Sequence, residues 1–486
     1  MSAMLAKLVG TDAALPEAAG SLLVAGLTAD SREVEPGFVF AALPGTKVDG
    51  AKYIGQAFER GASVVIANEG SYRGSGLVIE TPNPRQLFAR MAARFFGKQP
   101  DLTVGVTGTN GKTSVASFVR QIWQSMGFRA ASIGTIGVVS PAGSEYLSHT
   151  TPDPVQLQRL LAKLAEDHVG PLALEASSHG LAQYRLDGIR FAAAGFTNLS
   201  RDHLDYHATL EEYFDAKMRL FEELLPAGAP AVINADTPFS DEVIRRAIAR
   251  GLKIFTVGHA GNDLKLVSAR REGFGQHLEL QTPARQHSVY LPLVGEFQGS
   301  NSLVSAGLVL ATGGEEALVM HALESLQGAK GRLDLVGKSK TGASIFVDYA
   351  HTPDALENAI TSLRPYTDGK LVVVFGCGGD RDKGKRPQMG AVAAKHADKA
   401  IVTDDNPRSE DAKVIRAEVL AACPGATEIG DRAKAIRAGV DSLTMGDVLL
   451  VAGKGHEEGQ TIGTAVIPFS DHEAVAAAIA GETYHG

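Results

Sequence analysis

One stretch limits the folds open to this chain more than any other: LTVGVTGTNGKTSVASF, from Leu102 to Phe118. Leu102, Val104 and Val106 alternate as a strand does, and Gly108, Thr109, Asn110, Gly111, Lys112, Thr113 and Ser114 form a tight polar loop. Val115, Phe118, Val119, Ile122 and Met126 then recur at helical spacing until Gly127 supplies a stop. Strand, glycine loop, lysine–hydroxyl pair and helix together form a cradle for a nucleoside triphosphate. Backbone N–H groups and the helix N-terminus face the phosphates, Lys112 neutralises the outer ones, and the Thr113 hydroxyl holds Mg²⁺. The spacing departs from the common phosphate loop, because Val106 stands where a glycine is required.

The rest of the chain is read around that loop. At 486 residues it should hold about three domains. A formal charge of −8 and the lack of any basic block argue against a nucleic-acid binder. Cys377 and Cys423 are far apart and in no CxxC, which excludes a disulfide scaffold or zinc knuckle. No apolar run approaches the ~18 residues of a membrane span, and the N-terminus is a poor signal peptide, so a cytoplasmic protein is expected.

Residues 1–99 read as a small α/β unit, with strands at 38–43, 63–67 and 77–80 and helices near 53–60 and 85–96. Its polar loops ADSREV (29–34) and LPGTKVDG (43–50) are explained by surface turns alone. Residues 100–330 form a longer middle section. LALEASS, AGFTNLS, AVINAD and KIFTVG read as buried strands of a doubly wound parallel sheet, whose ligands sit beyond the carboxyl ends of the strands. Those ends carry Glu175, Ser177, Asn198 and Asp236. Short alternating runs from Asp263 to Leu293 read as an antiparallel appendix. Residues 331–486 form a second, Rossmann-like parallel sheet, and four polar loops, after ASIFVDYAH, KLVVVFGCGGD, KAIVTDDNPR and DVLLVAGKGHE, should converge at one edge. The fold class is therefore α/β in three domains.

Several residues carry chemistry. Glu175 ends a buried strand, where a nucleotide-binding sheet places a carboxylate for Mg²⁺. In RDHLDYH, His203 and His207 with Asp202 and Asp205 hint at zinc, but the HExxH pattern is missing. A single histidine on a second Mg²⁺, or a plain polar loop, fits better. TLEEYFDAKMRLFEELL reads as a helix with Thr209 and Glu212 as its capping box, and Lys217 sits on its apolar stripe. A lysine there either snorkels to water or is converted into something useful, such as an anion that holds a metal. GCGGDRDKGKR lacks the third glycine of a dinucleotide fingerprint. Its Arg381, Lys383, Lys385 and Arg386 suit a carboxylate or phosphate. DDNPR could grip a zwitterion, with Arg408 on a carboxylate and Asp405 on an ammonium, and Glu457 of AGKGHEE adds a place for another ammonium.

The ordered set GTNGKTS, EASSHGL, TNLSRDHLDYH, YFDAKMRLF, FQGSNSLVSAG, GRLD, VDYAHTPDAL, DDNPR and AGKGHE resembles the Mur ligases of peptidoglycan synthesis. The likeness spans all three sections, and the short phosphate loop is the form that family uses. It implies an N-terminal UDP-binding domain, a central ATPase domain and a C-terminal amino-acid-binding domain. By the resemblance, Gly108, Thr109, Asn110, Gly111, Lys112, Thr113 and Ser114 bind ATP, with Glu175 and His203 as further Mg²⁺ ligands beside Thr113. Lys217 matches the lysine that the family carries as a carbamate (N6-carboxylysine), made from CO₂, on a second Mg²⁺. Ser31, Thr150, Thr151, Ser177, Gln183 and Arg185 match positions that grip the UDP-N-acetylmuramoyl dipeptide, and Asn301, Arg332 and Asp348 match nucleotide or interdomain positions. Arg381, Asp405, Asn406, Pro407, Arg408, Gly453 and Glu457 match a diaminopimelate pocket. His149 stands where the family more often has asparagine.

The implied reaction is ATP-dependent amide ligation through an acyl phosphate, adding meso-2,6-diaminopimelate to UDP-N-acetylmuramoyl-L-alanyl-D-glutamate. The third section must then close on the second to exclude water. The expected partners are these small molecules and ATP, with no nucleic acid and no membrane span, in a monomer. A folylpolyglutamate synthase shares the chemistry but has no place for the first section or DDNPR. A phosphate-loop switch or motor protein needs only the nucleotide site.

Overall fold

In the computed structural model, which describes residues 2–45, 48–147, 149–203 and 206–484, the strand Leu102–Thr107 lies between Pro171–Glu175 and Phe191–Phe196. All three run parallel, with Val106 opposite both Glu175 and Gly195. Ala131–Gly134 continues the parallel array on one side, and Pro230–Asn234 and Lys253–Gly258 continue it on the other. Both faces of the sheet carry helices, so its central strands read as unbroken apolar runs. Two short antiparallel strands, Gly137–Ser140 and Gly143–Glu145, extend the edge beyond Ala131–Gly134. The register brings the carboxyl ends of the central strands level, which gathers their polar tails around the loop that starts at Gly108.

The first section has its own four-stranded parallel sheet, in the order Gly26–Thr28, Phe38–Ala41, Val64–Ala67, Val78–Glu80. The three residues of Gly26–Thr28 are too few to show a period, and the sequence pattern passes over them. The helix Pro84–Phe96 starts where Asn83 accepts the Gln86 N–H and ends at Gly97, whose φ of 74° suits glycine. This helix packs on Pro154–Glu166. Its Gln86 donates to Asp187 at 2.8 Å, and Gln99 donates to Gln158 at 3.0 Å and to the Gly188 carbonyl at 2.8 Å.

The chain divides into two compact units, Met1–Val267 with Leu280–His287 and Ser300–Ala322, and Ser268–Glu279 with Ser288–Gly299 and Leu323–Gly486. The second unit is built on a six-stranded sheet, ordered Asp334–Lys338, Ser344–Asp348, Val448–Ala452, Leu371–Phe375, Lys399–Val402, Thr427–Glu428. All of its pairings are parallel except the first. Asp348 pairs with Ala452 and Phe375 with Val402, so the loops after these four strands leave at one level. They also meet: the Gly453 N–H donates to the Asp348 carbonyl at 3.0 Å, and a side chain at Gly376 would collide with the Thr403 carbonyl. Among the described residues no helix is long and apolar enough to cross a membrane.

Candidate functional site

The phosphate loop is held from behind by the segment after Phe196. Thr109 N–H donates to the Asn198 carbonyl at 2.9 Å, Asn110 N–H to Asn198 Oδ1 at 2.9 Å, and the Thr197 hydroxyl to the Asn110 carbonyl at 2.6 Å. Asn198 is thus a fastener of the loop. Gly108 has a φ of 147° and leaves no room for a side chain beside Thr197. Gly111 has a φ of 85° and leaves none beside Asn301. Asn301 therefore adjoins the loop. Lys112 opens the helix Lys112–Ser125, and its Nζ donates to the carbonyls of Gly108 at 2.9 Å and Thr109 at 2.7 Å. Thr113 and Ser114 are buried in the first turn of that helix.

The Lys217 helix follows its predicted start. The Thr209 hydroxyl accepts the Glu212 N–H at 3.1 Å, while the Glu212 carboxylate accepts from Ala208, one residue short of a strict capping box. The helix Leu210–Arg219 ends in a π-helical turn, Leu220–Leu224. Lys217 is only 1% exposed, so it does not snorkel. Its Nζ donates to the Gly108 carbonyl at 2.7 Å and lies 4.1 Å from the centre of the Tyr213 ring. Burial, and then the charge of Lys112, hold this amine well below its ordinary pKa. The Tyr213 hydroxyl reaches Thr109 Oγ1 at 3.3 Å, and burial pushes its pKa up to about 12.

Glu175 is 1% exposed, and it accepts from the Thr135 N–H at 2.8 Å and the Thr135 hydroxyl at 3.1 Å. Thr150 lies 3.1 Å from that same hydroxyl. A buried carboxylate held by neutral donors suits a hard cation such as Mg²⁺. Among the described residues no three His, Cys, Asp or Glu side chains converge to hold a metal by themselves. The His203 ring stacks edge-on to His179 at 5.0 Å and to Tyr213 at 6.0 Å, and its backbone φ is 53°. His207 is also in this ring cluster, 5.7 Å from His179. Asp205 of the RDHLDYH segment lies outside the described residues, as do Thr46 and Lys47 of the 43–50 loop.

Thr151, Ser177, Gln183 and Arg185 form one chain of contacts. Thr151 Oγ1 lies 2.9 Å from Ser177 Oγ, Arg185 donates to the Thr151 carbonyl at 2.7 Å and to Gln183 at 2.7 Å, and Gln183 donates to the Tyr206 hydroxyl at 3.0 Å. Desolvation lowers the pKa of Arg185, with Arg85 a nearby like charge. Ser31 lies in the first section, 3.4 Å from Gln56 Oε1. Asp236, one of the polar strand ends, binds the N–H groups of His259 and Ala260 at 2.8 and 2.7 Å and closes a turn.

In the second unit the loops after Phe375, Val402 and Ala452 assemble a polar pocket. Arg408 has a φ of 51°, held by its N–H to the Thr461 carbonyl at 3.0 Å and its carbonyl to Gly463 at 2.7 Å. Its Nη1 donates to the Gly379 carbonyl at 2.8 Å, which braces one edge of the guanidinium. Asn406 donates to Glu457 at 3.0 Å. Pro407 is buried, Arg381 is exposed, and Gly453 has a φ of 117°. The sequence reading missed Lys454, which is fully buried among these residues and donates to Asn406 Oδ1 at 2.9 Å and the Gly459 carbonyl at 2.7 Å. It lies within the AGKGHE motif, two residues past a buried strand, but the pattern assigned a role only to Gly453 and Glu457. Two cations expected to face a ligand are engaged elsewhere: Arg386 pairs with Glu410 and Glu418, and Lys383 with Glu410.

Arg332 and Asp348 also belong to the second unit. Asp348 accepts the N–H groups of Leu333 and Ala350, both at 2.7 Å, and burial raises its pKa against the pull of Arg332. Arg332 lies over Tyr349 at 4.9 Å, and the His351 and His456 rings lie tilted against the same ring at 4.6 and 5.0 Å. Burial, and then the charges of Arg332 and Lys330, lower the His456 pKa from 6.5 to about 4. Between those values the unfolded chain binds more protons than the folded one, so stability rises with pH through that window, and the penalty is complete below about 4. The thermal midpoint should fall as pH drops from 6.5 towards 4. A His456→Gln variant should show a shallower fall by calorimetry.

Three family models match in order: "Mur ligase family, catalytic domain" over residues 23–96, "Mur ligase middle domain" over 106–309, and "Mur ligase, glutamate ligase domain" over 331–455. The chain is 56% identical over 467 residues to the UDP-N-acetylmuramoyl-L-alanyl-D-glutamate–2,6-diaminopimelate ligase of Brucella melitensis, covering 96% of each. A solved structure of a ligase of that same name matches with a TM-score of 0.74 at 33% identity, covering 99% of both chains. A MurF ligase from Thermotoga maritima in complex with ADP shares the fold, with a TM-score of 0.59 at 20% identity over 94% of this chain and 97% of that one.

Proposed function

The chain belongs to the Mur ligase family, and from that premise we infer that it is the ATP-dependent amide ligase that adds meso-2,6-diaminopimelate to UDP-N-acetylmuramoyl-L-alanyl-D-glutamate. The observation that carries this reading is the 56% identity to a diaminopimelate ligase, spread over 96% of the chain. The buried Lys217, whose Nζ reaches the phosphate loop, and the Asp405–Arg408–Glu457 pocket support it. The three sections take the roles of UDP-substrate binding (1–99), ATP binding (100–330) and amino-acid binding (331–486), in a cytoplasmic monomer.

ATP lies on the loop 108–114, where Lys112 and the backbone N–H groups offset the charge of its phosphates. The γ-carboxylate of the D-glutamyl residue attacks the γ-phosphorus. An O–P bond forms, the bond to ADP breaks, and an acyl phosphate results. The amine of diaminopimelate then attacks the acyl carbon, phosphate departs, and a proton is lost from nitrogen. Thr151, Ser177, Gln183 and Arg185 orient the UDP substrate, and their mutual contacts keep them rigid. Thr113, Glu175, His203 and a carbamate on Lys217 would hold Mg²⁺, which supplies charge stabilisation to the transferring phosphoryl group.

Measuring ADP formation with each substrate withheld tests the assignment. ADP should accumulate only when both the UDP-dipeptide and diaminopimelate are present, with at least a ~100-fold drop when the UDP-dipeptide is missing. ATP hydrolysis at full rate without any amino acid would instead fit a nucleotide-driven switch.

A further inference from the structure

The second unit buries a cation that the ligation chemistry above does not use. Lys454 is fully buried, and every oxygen around it belongs to the pocket: Asn406 Oδ1 at 2.9 Å, the Gly459 carbonyl at 2.7 Å, Glu457 Oε2 at 3.4 Å and Asp405 Oδ1 at 3.7 Å. Asn406 Oδ1 also accepts the Thr461 N–H at 2.9 Å. Both neighbours of that oxygen are obligate donors, so the amide of Asn406 has one orientation, with its Nδ2 turned to Glu457 at 3.0 Å. Glu457 Oε2 then serves both Asn406 and Lys454, which leaves Oε1 as its acceptor for a ligand.

We propose that Lys454 is the positioning and charge-setting residue of the amine pocket: its ammonium fixes Asn406 and Glu457 and leaves the Asp405–Glu457–Lys454 group with one net negative charge. That residue charge suits a distal centre bearing one ammonium beside a carboxylate, with Arg408 taking the carboxylate. Without Lys454 the same group carries two negative charges. It then repels the distal carboxylate of diaminopimelate and tolerates the bare distal ammonium of L-lysine. The inference rests on the diaminopimelate reading above.

The test compares kcat/KM for meso-diaminopimelate and for L-lysine in three full-length enzymes. Wild type should prefer diaminopimelate, and a wild type without that preference overturns the underlying reading, whatever the variants do. In Lys454→Met the KM for diaminopimelate should rise at least ~30-fold, with KM for ATP within about twofold. The ratio of diaminopimelate to lysine should fall about tenfold. A loop that is merely loosened would weaken both amines alike and leave the ratio where it was. Glu457→Gln, a change at a partly exposed side chain, keeps Lys454 and removes one negative charge, so the ratio should move the other way, against lysine. This second variant decides the matter if Lys454→Met does not melt cooperatively. With the wild-type preference present, an unchanged ratio in Glu457→Gln, or in a folded Lys454→Met, overturns the proposal.

Discussion

Replacing Lys217 by alanine should abolish ligation, lowering kcat by at least ~1,000-fold while the protein still folds. Lys217 lies on the apolar stripe of its helix, and its Nζ reaches the Gly108 carbonyl at 2.7 Å at the base of the phosphate loop. Burial and Lys112 lower its pKa, so the neutral amine is favoured where an ordinary lysine is protonated. A neutral amine is the form that reacts with CO₂: the nitrogen lone pair attacks carbon, a C–N bond forms, a proton is released, and a carbamate anion results. That conversion turns a buried neutral amine, disfavoured as a cation beside Lys112, into an anion that attracts Lys112 and supplies an oxygen ligand for a cation. Because the folded pKa lies below the unfolded one, the lysine side chain costs stability at neutral pH, and the cost shrinks as pH rises towards 10.5. The alanine variant removes that cost, which is why lost activity should not be accompanied by a collapse of the thermal midpoint. Enzyme prepared with ¹³C-labelled bicarbonate should give a carbamate NMR signal that the variant lacks. No carbamate signal in wild type, together with full activity in the alanine variant, would refute this role.

What could be read from the sequence was what local patterns determine. The phosphate loop declares itself within a dozen residues because each backbone constraint falls on a glycine in place. Lys217 was visible as an exception to a helical period, and Thr209 as its cap, because both signals lie within two turns of one helix. The strand ends could be ranked as polar, but not sorted: Glu175 is buried with neutral donors, Asn198 fastens the loop and Asp236 closes a turn. That sorting depends on neighbours brought in by the sheet register. The same limit hid the fates of the basic residues. Arg386 looks like part of an anion-binding run until Glu410 and Glu418, 24 and 32 residues further on, fold back to it. Lys454 gave little sign because its nearest side-chain oxygen belongs to Asn406, 48 residues earlier. The packing of the first section on the middle one likewise depends on single pairs such as Gln86 with Asp187, which no period reveals.

The amine specificity should rest on Arg408 more than on any other side chain. Its left-handed backbone, tied at both ends to the 459–468 hairpin, sets where the guanidinium projects, and Nη1 is anchored on the Gly379 carbonyl. The rest of the fork can then take a carboxylate in two parallel hydrogen bonds. Diaminopimelate brings that carboxylate on its distal centre, and L-lysine does not. With lysine bound the guanidinium would lose water without gaining a partner, a cost of ~2–5 kcal/mol, which corresponds to a preference of about thirtyfold to several thousandfold. Wild type should show that preference in kcat/KM. In Arg408→Met the value for diaminopimelate should fall by about 100-fold, while lysine, which never used the fork, should change by less than about fivefold. Arg408→Lys should not restore it, because an ammonium keeps the charge but cannot present the planar pair of donors. Lysine accepted by the wild type as readily as diaminopimelate, or an Arg408→Met enzyme that keeps full discrimination, would move the specificity away from this residue. The carboxylate would then have to be read by one of the remaining cations of the pocket, with Arg381 the exposed candidate.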